Sequence, residues 1–158
     1  MAYIRTKNIN KNSYAYVVES TKTAKGPRQK VKQYLGRVYE TTKSNNINKS
    51  VITAKNKTDF LQQLITKELD KNGFSQQGSH LKLDTVVFLP KSLTLQKKKK
   101  HVVVKLNEGY LCNHTVNNIK KFARTQDIAK DGFKLAKLLL DAGLPISEEE
   151  FISFYKLH

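Results

Sequence analysis

Side chains alternate with a period of two through three stretches of the first forty residues, at 3–7, 14–19 and 28–35. Successive side chains of a β-strand point to opposite faces, so each stretch predicts a short strand with an apolar side and a side that carries basic residues and tyrosines. The connections at 8–13 and 21–27 are short and rich in turn-forming residues, which favours an antiparallel meander. We therefore expect the basic residues and tyrosines of all three strands to share one face.

The pattern changes to a helical period after a polar stretch. Residues 41–57 are rich in Asn, Lys, Ser and Thr and predict a flexible linker or an extended connection. A helix is predicted over about 57–71, with Asn56 as its N-cap and Gly73 as its stop. Its apolar residues recur at helical spacing and are expected to cover the apolar side of the meander. They are Phe60, Leu61, Leu64, Ile65 and Leu69.

Strand patterns return between 81 and 112, and the last third of the chain is helical. Short apolar segments on both sides of residues 97–100 predict strands that flank a basic loop. Three helices are predicted over 113–158, and the second has an apolar stripe at Ile128, Phe133, Ala136, Leu139 and Leu140. Their predicted N-terminal caps are Asn113 or Thr115, Asp127, and Ser147 in a capping box with Glu150.

These elements predict an α+β protein in four parts. Residues 1–40 form a basic three-stranded antiparallel meander with a covering helix, and 41–57 form a polar linker. Residues 58–112 hold the helix and further short strands, and 113–158 form a three-helix region. Gly36, inside the third strand, predicts a β-bulge or the close approach of another backbone.

The charge of the chain directs attention to a polyanion as partner. The 158 residues include 29 basic and 13 acidic side chains, a formal net charge of +16 at pH 7. Nucleic acid is the first candidate for such an excess, ahead of an anionic membrane surface. The excess is uneven, because residues 1–40 hold nine basic and two acidic side chains whereas 111–158 hold seven and six. This asymmetry predicts a binding part followed by a part that packs or contacts a protein partner.

The basic and aromatic side of the meander is the strongest candidate site. Tyrosine rings stack on nucleobases, while Lys and Arg neutralise phosphates, and four consecutive lysines form a second candidate phosphate contact. Two other interpretations stay open, a solvated sheet face and a solvated lysine turn. The candidate nucleic-acid-binding residues are Arg5, Lys7, Tyr14, Tyr16, Arg28, Lys30, Lys32, Tyr34, Arg37, Lys97, Lys98, Lys99 and Lys100.

A third polar and basic set falls on the first of the C-terminal helices. Asn and Arg side chains read adenine and guanine in the major groove, so the set is typical of a recognition helix. Such a set is more often the solvated side of an amphipathic helix, and we favour that interpretation. Its members are Asn117, Asn118, Lys120, Lys121 and Arg124.

Catalytic motifs are missing from the sequence. It contains no GxxxxGK[ST], GxGxxG, GxSxG or HExxH pattern. The single cysteine, Cys112, excludes an internal disulfide, and with His114 it forms either a Cys-His pair or a buried structural cysteine beside a histidine. We predict a protein that is not an enzyme and that uses no cofactor or metal. No spacing indicates a nuclease cluster among the candidate acids Asp59, Asp84, Glu108 and Asp127.

A family resemblance lies in the first 39 residues. The pattern is Y-I-R at 3–5, Y-A-Y-V-V-E-S at 14–20, P-R-Q-K-V at 27–31 and Y-L-G-R-V at 34–38. It resembles the N-terminal segment of insertion-sequence transposases of the DDE class, and of small archaeal proteins that begin in the same way. In the transposases this segment is an accessory DNA-contacting part that precedes an RNase-H-like catalytic domain. The resemblance covers only about 3–39, so it implies DNA contact without transposase activity. The residues to which it assigns that contact are Arg5, Lys7, Arg28, Lys30, Lys32 and Arg37.

The sequence thus predicts a non-catalytic nucleic-acid-binding protein, with DNA favoured over RNA. The alternative is a protein-interaction module, or an accessory protein of the ribosome or of replication, that uses residues 113–158. The first ten residues lack the apolar segment of a signal peptide, and no run reaches the ~18 apolar residues of a membrane span. We therefore expect a cytoplasmic protein, nucleoid-associated if it binds DNA, without a membrane partner.

Overall fold

The computed structural model describes residues 2–45 and 50–158, and these residues form both sheets and helices. The predicted α+β class is confirmed. The strands are β1 (Ala2–Ile9), β2 (Asn12–Thr23), β3 (Gly26–Glu40), β4 (Ser75–Gln77), β5 (His80–Leu83), β6 (Val86–Leu89), β7 (Thr94–Lys97), β8 (Lys100–His101), β9 (Val103–Leu106) and β10 (Gly109–Leu111). The helices are α1 (Lys57–Lys71), α2 (Asn113–Lys120), α3 (Ile128–Asp141) and α4 (Glu148–Lys156).

Strands β1, β2 and β3 form the predicted antiparallel meander, and this meander is part of a larger sheet. β3 pairs in parallel with β9, and β9 pairs with β10, so the strand order is β1-β2-β3-β9-β10. A parallel pair requires a long crossover. Here the crossover contains α1 and a second, antiparallel sheet with the order β4-β5-β6-β7-β8. Strands from the predicted segments 1–40 and 58–112 therefore share one sheet.

Two groups of buried apolar side chains stabilise the fold. The larger group lies between α1, the second sheet, the β9–β10 end of the first sheet and helices α2, α3 and α4. Within it, the rings of Phe60 and Phe154 stack with centroids 4.6 Å apart. The smaller group lies on one side of the meander and consists of Ala15, Val17, Leu35, Val103 and Cys112, with Ile4, Val38 and Tyr110 packed against it.

Helix α1 has its predicted cap and apolar stripe, but it packs elsewhere than predicted. The Asn56 side chain accepts a hydrogen bond from the backbone N–H of Asp59 at 2.9 Å, and all five stripe residues are buried. They belong to the larger apolar group. Val103, Tyr110 and Cys112 close the apolar side of the meander instead. The prediction of a meander covered by this helix is wrong, because the pairing of β3 with β9 brings covering residues from much later in the chain.

The linker prediction for 41–57 is tested only in part, because residues 46–49 lie outside the described residues. The described remainder forms no helix or strand before α1. It is tied to α1 through Gln63, whose side-chain amide donates to the Thr53 carbonyl oxygen at 2.8 Å and accepts from the Thr53 N–H at 3.1 Å. The described part of this segment is therefore an irregular connection that is hydrogen-bonded to the helix.

The three predicted C-terminal helices are present, and the caps of α3 and α4 are confirmed. Asp127 accepts from the backbone N–H of Lys130 at 3.0 Å, and Ser147 and Glu150 form the reciprocal capping box at 3.2 Å. The cap of α2 is Cys112 rather than a later residue. Among the helices of the described ranges, none is both long and apolar enough to cross a membrane.

The apolar stripe predicted on α3 is wrong at most of its positions. The residues of α3 that are buried are Asp131, Leu135 and Leu139, which repeat every four residues. Phe133 and Leu140 are exposed, as is Ile128. The helix carries apolar residues on more than one side, so hydrophobic spacing alone did not identify the side that packs.

At Gly36, the backbone of β3 comes very close to the end of β8. Its φ is +133°, a region that L side chains rarely adopt, and a Cβ there would lie 2.6 Å from the carbonyl oxygen of His101. The β2–β3 register also shifts next to it, between Ala15 and Tyr16. The bulge and the close approach predicted for Gly36 are both present.

Replacing Gly36 by Ala should therefore destabilise the protein. We expect a loss of about 2–4 kcal/mol in the free energy of unfolding, because the new Cβ combines an unfavourable φ with a backbone overlap. Gly132→Ala is the matched control, since nothing lies within 4 Å of a Cβ at that position in α3. It should leave stability unchanged or raise it by up to about 1 kcal/mol. Urea unfolding followed by circular dichroism measures both, and equal effects would contradict the close approach.

Candidate nucleic-acid interface

One side of the meander gathers tyrosines and basic residues from all three strands. Directly opposite residues of an antiparallel pair share a face. Tyr16 of β2, for example, lies between Arg5 of β1 and Tyr34 of β3. We call this side the tyrosine face and define it by the six residues Arg5, Lys7, Tyr14, Tyr16, Tyr34 and Arg37.

Three of the predicted contact residues lie on the opposite side of the sheet. Arg28 is opposite Thr21, and Lys30 is opposite Glu19, whose side chain also pairs with the Lys32 ammonium at 2.7 Å. The pairing of β2 with β3 contains two register shifts, and each of them exchanges the faces on which the odd- and even-numbered residues of β3 lie. The prediction that all three strands present their basic residues on one face is wrong for this part of β3, because a simple period-two pattern assumes no bulge.

The three tyrosines of the face pack against one another. The ring centroid of Tyr34 lies 5.2 Å from that of Tyr16 and 6.5 Å from that of Tyr14, with the ring planes tilted by 48° and 39°. With Ile9 they line a shallow, open depression of about 350 Å³. The three rings thus contact one another at the surface, and they belong to neither of the two buried apolar groups.

The exposed apolar side chains of the meander concentrate on the same side. Tyr3, Ile9, Val31 and Tyr34 are each between 40% and 54% exposed, and the register places all four on the side of the tyrosine face. A contiguous exposed apolar patch marks a contact site more often than a scatter of single residues does. The tyrosine side is therefore open to a partner.

Hydrogen bonds and ring contacts hold the basic residues over this face. The Arg5 guanidinium donates to the side-chain oxygen of Gln29, whose amide in turn donates to the Tyr3 hydroxyl. The Lys7 ammonium lies 5.7 Å from the centroid of the Tyr16 ring, within range of a cation–π interaction. Throughout 2–45 and 50–158, no ion pair involves Arg5, Lys7 or Arg37.

The four consecutive lysines border the tyrosine face. The Lys97 ammonium lies 5.3 Å from the centroid of the Tyr39 ring, and the Arg37 guanidinium lies 5.1 Å from the same centroid. Tyr39 is thus shared between the tyrosine face and the turn that joins β7 to β8. We call this turn the lysine hairpin, formed by Lys97, Lys98, Lys99 and Lys100, of which the last three are exposed. Tyr39 is not among the residues predicted for this site, although its position two residues after Arg37 in the same strand indicates the same face.

The lysine hairpin has an unusual backbone. Lys98 and Lys99 have φ values of +48° and +64°, the left-handed region in which two-residue turns favour Asn and Gly. The same pattern occurs at the β1–β2 turn, where Asn10 and Lys11 have φ values of +48° and +66°. Non-glycine residues with positive φ are uncommon, and such strain concentrates at functional sites. Asp84, Leu93 and Asn107 also have positive φ, so what distinguishes these two turns is that both carry lysines.

The polar set predicted on α2 lies away from the tyrosine face. The Asn118 amide is 3.2 Å from the His114 ring, and both line a cavity of about 340 Å³ with Ile4, on the other side of β1. The Arg124 guanidinium lies over the ring of Tyr155 at 5.4 Å. The structure therefore divides this set among separate contacts.

Cys112 and His114 likewise have separate partners. Cys112 is 3% exposed, and its sulfur lies 3.7 Å from the Thr115 hydroxyl in the smaller apolar group. His114 instead contacts Asn118, and burial lowers its pKa, with the nearby Lys121 charge adding to the shift. In the described part of the chain, no three His, Cys, Asp or Glu side chains lie close enough together to hold a metal ion.

None of the family models, curated proteins or solved structures compared with the chain matches it. An interface is therefore inferred from the geometry of this chain. That geometry combines an open aromatic sheet face with basic residues from two distant parts of the sequence.

Replacing Tyr34 by Phe tests the packing of the aromatic cluster. Burial raises the pKa of the Tyr34 phenol, and the phenols of Tyr16 and Tyr14 add to the shift. The contribution of Tyr34 to stability is thus fully present below its ordinary pKa of 10.0 and is lost as the pH rises through the higher folded-state value. We expect the wild type to lose more stability above about pH 10 than Tyr34→Phe does. Urea unfolding across this range measures the difference, and coincident curves would contradict it.

Proposed function

We propose that the chain is a non-catalytic nucleic-acid-binding protein. Its contact surface is the tyrosine face extended by the lysine hairpin. Lys and Arg side chains neutralise phosphates there, while the tyrosine rings contact nucleobases or sugars. The observation that supports this most directly is the position of Tyr39, between Arg37 and Lys97, because it joins the two basic elements into one surface.

The charge of the whole chain supports the same proposal. A net charge of +16 attracts a polyanion from a distance and speeds its association. Arg28, Lys30 and Lys32, on the other side of the sheet, contribute to that attraction without touching the bound strand. DNA is favoured over RNA because residues 3–39 resemble a DNA-contacting segment of transposases, and the protein is then expected in the cytoplasm with the nucleoid.

Charge reversal on the tyrosine face tests the proposal. Lys7→Glu/Arg37→Glu removes two phosphate contacts, so we expect weaker binding to every DNA sequence and a salt slope of log K that is smaller by about 2. Lys130→Glu/Lys134→Glu is the matched control, with the same change of charge at exposed positions of α3. It should leave the slope nearly unchanged. Filter binding at several salt concentrations measures both variants.

A third variant distinguishes the two sides of the sheet. Lys30→Glu/Lys32→Glu should weaken binding less than the tyrosine-face pair does, because both lysines lie on the opposite side. A larger loss would move the contact surface to that side. Salt-independent binding, or no binding to any DNA or RNA, would contradict the proposed function itself.

A protein-interaction module is the second candidate, and the exposed side of α3 favours it. Phe133 and Leu140 are 76% and 63% exposed, and their spacing of seven residues places them on the same side of the helix. Exposed apolar side chains of this kind mark protein contacts. The partner would be a ribosomal or replication protein, with the basic part of the chain assisting.

Aspartate substitutions on α3 separate the two candidates. If the second candidate holds, Phe133→Asp/Leu140→Asp should abolish co-sedimentation of the full chain with purified ribosomes and leave binding to DNA unchanged. Lys134→Asp, at an exposed position of the same helix, is the control. Co-sedimentation that persists in the double variant would exclude this surface as the contact.

A further inference from the structure

We infer that the tyrosine face binds single-stranded in preference to double-stranded nucleic acid, with an unpaired nucleobase stacked on Tyr34. This inference rests on the proposed function and names the substrate class of the same surface. It follows from three properties of the face: its aromatic cluster, the placement of its cations and the absence of a covering element over the described part of it.

The aromatic cluster suits an unpaired nucleobase better than a duplex. A duplex presents phosphates and sugars on its outside and the edges of base pairs in its grooves, while the flat faces of its nucleobases are stacked inside. Exposed tyrosine rings gain most from those flat faces, which only a single strand offers. Tyr34 is the most exposed of the three clustered tyrosines, and Tyr14 and Tyr16 hold its ring from the side.

The cations are placed at both ends of the aromatic cluster. Lys7 lies on β1 at one end, while Arg37 on β3 and Lys97 on β7 lie at the other end. Adjacent strands are about 4.8 Å apart, so β1 and β3 are separated by about 10 Å. A strand that crosses the meander would meet cations, then rings, then cations again, and would end on the lysine hairpin.

The β2–β3 ribbon is the competing contact for a duplex. It extends beyond the start of β1 at Ala2, which pairs with Glu19, and it carries the exposed residues Lys22, Lys25 and Arg28. A two-stranded ribbon fits the major groove. The ribbon lacks the clustered rings, however, so it accounts for charge but not for the exposed aromatic patch.

The test compares full-length protein variants on a labelled mixed-sequence single strand and on its duplex of equal length. We expect the single strand to bind at least about tenfold more tightly, and Tyr34→Ala to weaken that binding by about 5- to 150-fold. Tyr34→Phe should retain it, because the ring remains. Phe133→Ala, at an exposed aromatic position of α3, is the control and should have no effect.

Salt dependence separates stacking from charge in the same titrations. Tyr34→Ala should leave the slope of log K against log salt unchanged, since stacking releases no counterions. Lys7→Gln should reduce the slope for the single strand by about 0.7.

Equal or tighter binding of the duplex would overturn the inference, and so would a Tyr34→Ala variant that binds the single strand normally. Either result would leave the proposed function standing. Loss of single-strand binding in Lys22→Ala/Arg28→Ala would assign the contact to the ribbon and would overturn the inference too. No binding to either probe at low salt would overturn both proposals. Thermal unfolding of each variant shows that the comparison is between folded proteins.

Discussion

The parallel pairing of β3 with β9 is the interaction on which the rest of the structure depends. It joins the meander to the remainder of the first sheet through three residue pairs, of which Val38 with Val103 is the first. The long crossover that this pairing requires contains α1 and the second sheet. Gly36 allows the meander to approach the chain at His101 without a side chain between the two backbones.

This pairing also decides which part of the sheet stays open. Tyr39 pairs with Val104 of β9 and lies on the same side of the sheet as Arg37. Val104 belongs to the larger apolar group, so that group covers the β9 end of the side that carries the tyrosine face. The crossover covers that side at β9 and β10, while the part over β1, β2 and β3 remains exposed. The lysine hairpin belongs to the crossover, and for that reason it lies at the border between the open and covered parts. Its charge is thereby added to that of the tyrosine face.

Buried hydrogen bonds hold the end of β9, the strand that pairs with β3. Glu68 of α1 is 5% exposed, and its carboxylate accepts a hydrogen bond from the Asn107 amide at 2.9 Å. The same amide donates to the carbonyl oxygen of Gly143 at 2.9 Å. A buried carboxylate is tolerated only with such partners.

At Gly109, a Cβ would lie 2.2 Å from the carbonyl oxygen of Leu140, so the β9–β10 turn packs directly on the end of α3. The sheet that carries the tyrosine face is thus fixed to the helices at its β9–β10 end.

Much of the local structure could be predicted from neighbouring residues, although the cap of α2 and the apolar stripe of α3 could not. The period-two stretches became β1, β2 and β3, the stripe from Phe60 to Leu69 became the buried side of α1, and Asp127 and Ser147 cap their helices as predicted, because each of these depends on neighbouring residues. Tertiary structure decided the rest. The bulges place Arg28, Lys30 and Lys32 on the side of the sheet opposite the tyrosines. Because β3 pairs with β9, α1 packs in the larger apolar group and not on the meander. The fold also brings Lys97 over the ring of Tyr39. Register shifts and non-local strand pairing are set by packing over the whole chain, so no local pattern contains them.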